Sequence, residues 1–338
     1  MFENFLTVCK DVTKTTRKIP QGEYLSDGTY KIFDQGKNYI GGYCNTANGV
    51  ASDYPYIVFG DHTRVIKYIN EPCYIGADGV KLLKVYNNDF IPKFVYYAML
   101  ANPVEHQGYS RHFKLLKETK IRKYDKSIQN TIIDELDKIN LAISLKESIL
   151  NHLDELVKSR FIEMFGDPQN NNKQFPTKKL IDVVTLQRGH DLPVQNRDSH
   201  GSVPVYGSNG VLGFHTIAKC DRGIITGRSG TIGEVYVSEE PFWPLNTTLY
   251  SNNTHGNNLI YLKYLLMFFN LKRFKSGAGV PTLNRNEFHG KEIMDVPIEL
   301  QNEFADFVKL IDKSKFIVQK QIDDLQELLD SKMDEYFG

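Results

Sequence analysis

The stretch QNTIIDELDKINLAISLKESILNHLDELVKSRFIEMFG at Gln129–Gly166 recurs in altered form as QNEFADFVKLIDKSKFIVQKQIDDLQELLDSKMDEYFG at Gln301–Gly338. The two copies align without a gap over 38 residues at an offset of 172. A repeat of this length indicates a chain built as module, helix, module and helix. Because neither copy contains proline or an internal glycine, each is predicted to form one long helix.

Apolar residues recur in both copies in steps of three and four, which is the spacing of a coiled-coil seam. The predicted seam consists of Ile132, Leu136, Ile139, Ile143, Leu150, Leu153 and Val157 in the first copy and Val308, Ile311, Val318, Ile322, Leu325 and Leu329 in the second. A helix of this length would extend for about 57 Å. A core helix of an ordinary bundle shows similar spacing, but the duplication and the length favour pairing between the two copies.

The connectivity predicts the direction of the two helices. The first helix leads into the second module and the second helix leaves that same module, whose ends lie close together if the module is compact. The helices are therefore predicted to form an antiparallel coiled coil with pseudo-two-fold symmetry. We divide the chain into a first module at 1–125, a first helix at 126–166, a second module at 167–298 and a second helix at 299–338.

The charges follow the same division. The chain holds 41 basic and 41 acidic residues, yet the modules carry net charges of +4 and +3 and the helices −2 and −5. Basic modules suit a polyanion such as nucleic acid. The excess is small, so charge alone leaves nucleic acid as one candidate partner among several.

Several classes of protein are disfavoured by the composition. No apolar run approaches the roughly 20 residues of a membrane span, and the N-terminus lacks the pattern of a signal peptide. The four cysteines are isolated from one another, which predicts free thiols in a reducing cytoplasm and no zinc site. The sequence contains no phosphate-binding Walker loop and no catalytic constellation, so we expect neither a metal nor a catalytic residue.

Each module is predicted to be α+β, with a twisted sheet, short helices and prominent loops. The two modules also resemble each other faintly. Parallel segments are Gly28–Phe33 with Gly201–Tyr206, Tyr56–Gly60 with Gly223–Gly227, Glu71–Tyr74 with Glu240–Trp243, and the apolar Ile91–Leu100 with Leu259–Phe268.

The loops of the second module hold the residues best suited to recognition. Four Gly- or Asn-rich segments are Tyr206–Gly213, Gly227–Gly233, Pro244–Tyr250 and Ser276–Asn286. Arg and Asn side chains can make bidentate contacts with base edges, and hydroxyls and glycine N–H groups suit phosphate. Each segment taken singly is equally typical of a hairpin turn.

Five motifs make this chain similar to the specificity subunit of type I restriction–modification systems. They are Val205–Gly210, Ile225–Gly233, Phe242–Tyr250, Val280–Asn284 and Val296–Gln301. The resemblance covers the whole chain and is specific in the second module. The first module departs from these motifs. Its Asp61 aligns with Arg228 of the second module, Ala77–Gly79 with Asn246–Thr248, and Tyr109–His112 with Pro281–Asn284.

The resemblance implies a non-catalytic chain that binds a bipartite, asymmetric duplex DNA site. The implied partners are two modification subunits that methylate adenine N6 with S-adenosylmethionine, and restriction subunits that use ATP and Mg²⁺; this chain itself would bind no cofactor. The candidate DNA-binding residues are Arg188, Ser208, Asn209, Arg228, Ser229, Thr231, Asn246, Thr247, Lys275, Asn284 and Arg285 in the second module and Lys37, Asn38, His62, Arg64, Arg111 and His112 in the first. The alternative is a coiled-coil scaffold protein whose basic modules bind protein.

Overall fold

The computed structural model describes residues 1–108, 110–198, 200–277 and 281–338. Tyr109 and Val280, which begin two of the aligned motifs, lie outside the described residues. The chain forms two compact units. The N-terminal unit comprises Met1–Glu147 and Lys320–Gly338, and the C-terminal unit comprises Ser148–Gln319. Each unit thus contains one module and part of both long helices. The division of the chain into two modules and two helices, made in chain order from the sequence, stays a prediction.

The module of the N-terminal unit contains ten strands and three short helices among its described residues. The strands are β1 (Phe2–Asn4), β2 (Cys9–Asp11), β3 (Lys18–Ile19), β4 (Tyr30–Phe33), β5 (Gly42–Cys44), β6 (Tyr56–Gly60), β7 (Ile66–Ile69), β8 (Cys73–Gly76), β9 (Val80–Val85) and β10 (Lys120–Arg122). The helices are α1 (Phe5–Val8), α2 (Pro92–Ala101) and α3 (Phe113–Leu116). The first long helix, α4, then runs from Lys126 to Phe165.

The module of the C-terminal unit has a matching set of elements. Its strands are β11 (Thr177–Lys179), β12 (Thr185–Arg188), β13 (Val203–Gly207), β14 (Gly210–His215), β15 (Gly223–Gly227), β16 (Val235–Ser238), β17 (Trp243–Pro244), β18 (Thr248–Asn253), β19 (Lys275–Ser276), β20 (Thr282–Leu283) and β21 (Glu292–Met294). Its short helices are α5 (Leu180–Val183), α6 (Leu259–Phe269) and α7 (Arg285–Phe288). The second long helix, α8, runs from Ile298 to Phe337.

The two modules share one sheet topology. An antiparallel sheet of order β2-β9-β6-β7 in the first corresponds to β12-β18-β15-β16 in the second. A second sheet in each combines a hairpin with a parallel neighbour, in the order β5-β4-β8 in the first and β14-β13-β17 in the second, and β3 extends the sheet of the first module beyond β8. The faint parallels in the sequence therefore mark equivalent strands and, in Ile91–Leu100 and Leu259–Phe268, the equivalent helices α2 and α6. The predicted α+β class with two long helices is confirmed.

The long helices run antiparallel within each unit. In the C-terminal unit Lys315 pairs with Asp154 at 2.6 Å and Arg160 with Glu303 at 3.0 Å, so the numbering falls on α8 as it rises on α4. In the N-terminal unit Lys146 donates to Gln321 at 2.7 Å, and Tyr336 donates to Glu135. Within the described residues no helix is apolar enough over a sufficient length to cross a membrane.

The residues of the predicted seam are all buried or half-buried, although their pairing across an interface stays a prediction. The side chains of Leu141 and Phe316, outside that seam, are 59% and 73% exposed. The heptad pattern missed Phe161 and Phe165, whose rings lie 4.9 Å apart and 5.4 and 5.5 Å from the ring of Phe304. This aromatic cluster forms the centre of the main core of the C-terminal unit.

A buried glutamine holds the start of each long helix to its module. Gln301 accepts from the Asn258 N–H at 2.9 Å and donates to Asn257 Oδ1 at 2.7 Å and to the Val296 carbonyl at 2.8 Å. Gln129 occupies the same repeat position. It accepts from the Ile91 N–H at 2.8 Å and donates to the carbonyls of Asp89 and Tyr124, both at 2.8 Å. The first residue of the sequence repeat is therefore the residue that fixes each helix to a module.

Replacing Gln301 by alanine is expected to lower the free energy of unfolding of the C-terminal unit by about 1–3 kcal/mol, because it strips partners from buried polar groups. Urea denaturation followed by circular dichroism measures the change. The control is Gln326→Ala, since Gln326 is exposed and donates only to Asp330 on its own helix. That control should change stability by no more than about 0.5 kcal/mol. Equal effects of the two substitutions would contradict the role given to Gln301.

Candidate DNA interface

Three loops of the C-terminal unit are joined by backbone hydrogen bonds where β15 ends and β18 begins. The N–H groups of Arg228 and Ser229 both donate to the Thr247 carbonyl, at 2.8 and 3.1 Å. The Leu283 N–H donates to the Arg228 carbonyl at 2.7 Å, and the Gly230 N–H donates to the Pro281 carbonyl at 3.2 Å. The loops at 228–231, 246–247 and 281–284 therefore form one continuous surface, which we call the loop cluster.

Glycine makes this close approach possible. A Cβ at Gly227 would lie 1.7 Å from the Thr231 carbonyl oxygen and 3.2 Å from Cβ of Ser208. Only a residue without a side chain fits between these groups. The turn that displays Ser208 and Asn209 is thereby brought against the loop cluster. Six predicted site residues lie on the loop cluster itself, and Ser208 lies beside it; the six are Arg228, Ser229, Thr231, Asn246, Thr247 and Asn284.

A polar network covers one side of the loop cluster. The Arg228 Nε donates to the Asn246 carbonyl at 3.1 Å, which leaves its two terminal nitrogens without a partner in the described part of the chain. The Asn246 side chain donates through Nδ2 to Asp191, and Asp191 also pairs with Arg188 at 3.6 Å. Arg188 and Asn246 are thus joined through a carboxylate that sequence reasoning did not single out. An acidic residue in a basic module looks like a solvated surface charge, so no sequence signal marked it.

The remaining predicted residues of this module have varied roles. Lys275 is exposed on β19, and Asn284 caps α7 by accepting from the Asn286 N–H at 3.1 Å. Arg285 is half-buried and donates through Nη1 to the Leu186 carbonyl at 3.2 Å. Arg285 therefore links α7 to β12.

The N-terminal unit repeats the backbone of the loop cluster with different side chains. The His112 N–H donates to the Asp61 carbonyl at 2.8 Å, as Leu283 does to Arg228. The Asp61 side chain is buried, however, and its Oδ1 accepts from the Phe113 N–H at 2.8 Å. The same position therefore holds the half-buried guanidinium of Arg228 in the C-terminal unit and the buried carboxylate of Asp61 in the N-terminal unit.

His112 must be removed from the set of candidate DNA contacts. Its side chain is fully buried, and both ring nitrogens are engaged with the backbone. Nδ1 donates to the Asp61 carbonyl at 3.0 Å, and Nε2 accepts from the Gln107 N–H at 3.2 Å. This histidine therefore positions the loop and is not available to a ligand.

The other candidates of the N-terminal unit lie on loops around β6 and β4. Lys37, Asn38 and Arg111 are exposed. Arg64, at a φ of 62°, donates through Nη1 to the Val104 carbonyl at 3.0 Å. His62 is half-buried, and its N–H donates to Gln35 Oε1 at 3.3 Å.

Residues 172–327, which include the whole loop cluster, match the family model described as type I restriction modification DNA specificity domain. The match covers less than half of the chain, and over these residues the chain is similar to that family. The resemblance inferred from the five motifs is confirmed over these residues, which contain all five motifs. No curated protein sequence matches the chain.

Two solved structures are similar to this chain over its full length. The S subunit of a type I restriction-modification system from M. genitalium shares 16% identity with a TM-score of 0.65, covering 100% of this chain and 96% of that chain. A structure concerning complex assembly and conformational transition of the type I R-M system shares 12% identity with a TM-score of 0.59, covering 100% and 97%. At such identities the likeness shows a common fold.

The environment of His289 predicts that the stability of the C-terminal unit depends on pH. The His289 Nε2 accepts from the Leu186 N–H at 3.2 Å, and burial, with a smaller contribution from Arg285, lowers its pKa. Because the folded state disfavours the proton, the stability contributed by neutral His289 is complete above the unfolded pKa of about 6.5 and declines as pH falls below it.

His289→Gln should therefore flatten the fall in urea midpoint between about pH 7 and pH 5. The same substitution at His152, an exposed residue of α4, is the matched control and should leave the fall unchanged. A pH profile that His289→Gln does not alter would contradict the assignment.

Proposed function

We propose that this chain is the DNA sequence-recognition subunit of a type I restriction–modification complex, and that it binds a bipartite, asymmetric duplex site. The loop cluster carries the proposal. It places a guanidinium whose terminal nitrogens have no partner among the described residues, an amide and several hydroxyls on one surface, within the segment that matches the specificity-domain family. These groups are the ones that read base edges and hold phosphates.

Each group has a distinct part in recognition. The terminal nitrogens of Arg228 suit the O6 and N7 acceptors of guanine, and the Asn246 amide suits adenine. Ser229, Thr231 and the backbone N–H groups of the turn suit phosphate oxygens, which fix the register along the duplex. Because the loops are tied by backbone hydrogen bonds, these groups are held in position before DNA binds.

Two unlike half-sites are the natural target of two unlike modules. The position of Arg228 is taken by the buried Asp61 in the N-terminal unit, so the two surfaces present different donors. The modules share a topology and each is held to the start of a long helix. The length of the helices would then set the number of unspecified base pairs between the half-sites, since spacing along a duplex is a geometric measurement.

The chemistry would belong to partner subunits in the cytoplasm. Two modification subunits would methylate adenine with S-adenosylmethionine, and restriction subunits would use ATP and Mg²⁺. A methyltransferase must take its target base out of the stack, so the complex would distort the DNA that this chain selects. The similar structure that concerns assembly of a type I R-M system supports a role within a complex.

An exposed apolar group on α8 is suited to partner docking. Leu310, Phe316 and Ile317 in the C-terminal unit are 62%, 73% and 56% exposed. Lys309, Asp312 and Lys313 border Phe316 and Ile317. Apolar side chains this exposed on a helix, with a polar border, are typical of a protein interface. A scaffold protein would also present such a surface, and sequence-specific DNA binding distinguishes the two functions.

Selection from random duplex DNA tests the proposal, using the full-length chain with and without its modification subunits. A two-part consensus is expected. Arg228→Ala should then weaken binding by about 1–3 kcal/mol and relax preference at one position of a single half-site. Arg222→Ala is the control, because it removes the same kind of side chain at the opposite end of β15 from Arg228. An unchanged consensus and affinity in Arg228→Ala would argue against the base contact, and failure to select any sequence would favour the scaffold.

Partner docking has its own test in the double substitution Phe316→Ser and Ile317→Ser. Losing a central apolar contact typically weakens an interface by about 2 kcal/mol or more, so co-purification of the modification subunit should fall at least tenfold. Leu141→Ser and Leu145→Ser, which remove exposed apolar side chains from α4, form the comparison. Full retention of the modification subunit by the α8 variant would place docking elsewhere.

A further inference from the structure

Asp191 is an acidic side chain within an otherwise basic and neutral polar network. Its Oδ1 accepts from the Asn246 Nδ2 and lies 3.6 Å from the Arg188 guanidinium. Its Oδ2 has no partner in the described part of the chain. The side chain is 73% exposed, so this second oxygen faces solvent on the surface assigned to DNA.

The backbone on both sides of Asp191 is held firmly. The Gly189 N–H donates to the Thr248 carbonyl at 3.1 Å, and the His190 N–H donates to the Pro244 carbonyl at 2.8 Å. A Cβ at Gly189 would lie 2.2 Å from the Leu245 carbonyl oxygen, so only glycine permits this approach. On the other side Leu192 is buried against Val205, Trp243 and Leu245. The carboxylate is therefore presented from a fixed backbone.

Folding alone does not account for this carboxylate. An ion pair as exposed as that of Asp191 with Arg188 contributes little to stability. A carboxylate near a phosphate backbone also repels it, which opposes binding to every DNA sequence alike. Its presence beside Arg188 and Asn246 is explained if it gains a hydrogen bond that only some sequences supply. Carboxylates accept such bonds from the exocyclic amino groups of bases in the major groove.

We propose that Asp191 is a specificity-determining residue that accepts a hydrogen bond from an exocyclic amino group, cytosine N4 or adenine N6, in the half-site of the C-terminal unit. This proposal rests on the proposed function. The bond from Asn246 holds the carboxylate so that Oδ2 meets the base. A sequence lacking the amino group at that position leaves the carboxylate facing the duplex without a partner, and phosphate repulsion is then uncompensated.

The test uses the full-length chain and the half-site selected by the wild type. At each position in turn, cytosine is replaced by pyrimidin-2-one and adenine by unsubstituted purine, which remove only the amino group. Wild-type affinity should fall about tenfold or more at one position, and the base replaced there identifies the source of the amino group. Asp191→Ala should bind both duplexes equally, so that base change and substitution are not additive.

Controls separate the proposal from its rivals. Asp221→Asn removes the same charge before β15, at the opposite end from Arg228, and should retain the wild-type discrimination. Asp191→Asn keeps the size of the side chain and should also lose discrimination, which covers the case in which Asp191→Ala does not fold. A uniform rise in affinity, or a uniform loss, with base preference intact in the Asp191 variants would overturn the proposal. A wild-type chain that selects no sequence would instead refute the proposed function itself.

Discussion

A buried glutamine amide joins each long helix to the short helix of its module, and the architecture of each unit depends on it. Gln129 and Gln301 each accept from the N–H of the residue before that short helix, α2 or α6. Each donates once to the chain just before the short helix and once to the chain just before its own long helix. A buried amide is tolerated only when its donors and acceptor are satisfied, and this geometry is met in one register. A shift of the long helix by one residue would leave several buried groups unpaired at once.

The end of the opposite long helix packs against the first turn of the same short helix. In the C-terminal unit the ring of Phe165, at the end of α4, lies 5.1 Å from the ring of Tyr261 on α6. The residue that precedes α6 is the one bound by Gln301. In the N-terminal unit Phe337, at the end of α8, lies 5.2 Å from Phe94 on α2. Phe165 and Phe337 are equivalent positions of the sequence repeat. The start of one helix and the end of the other therefore converge on one element, which explains why each unit contains parts of both.

Sequence periodicity predicted the long helices because their heptads extend over the whole repeat without a breaking residue. It did not predict Phe161 and Phe165, because their partner is the aromatic face of α6 and not only the opposing helix. The loops of the second module were predicted from residue type, and the backbone bonds between Arg228, Thr247 and Leu283 bring them together. His112 was misassigned because a loop histidine that binds backbone in the interior has the same sequence signature as an exposed one. Asp191 was not predicted because its role depends on its contacts with Arg188 and Asn246, and Asn246 lies 55 positions away along the chain.

The two units show how one loop framework supports different recognition surfaces. The carbonyl of Arg228 and that of Asp61 each accept one hydrogen bond from the incoming loop, at 2.7 and 2.8 Å. That bond involves only backbone, so it does not depend on which side chain the residue carries. Arg228 uses this freedom to extend beside Asn246, whereas Asp61 turns inward and holds the Phe113 N–H. Since the inward carboxylate is unavailable to a ligand, the proposed recognition by the N-terminal unit would rest on exposed neighbours such as Lys37 and Arg111. A framework tied through its backbone can therefore exchange its outward-facing residues without losing the shape of the loops that present them.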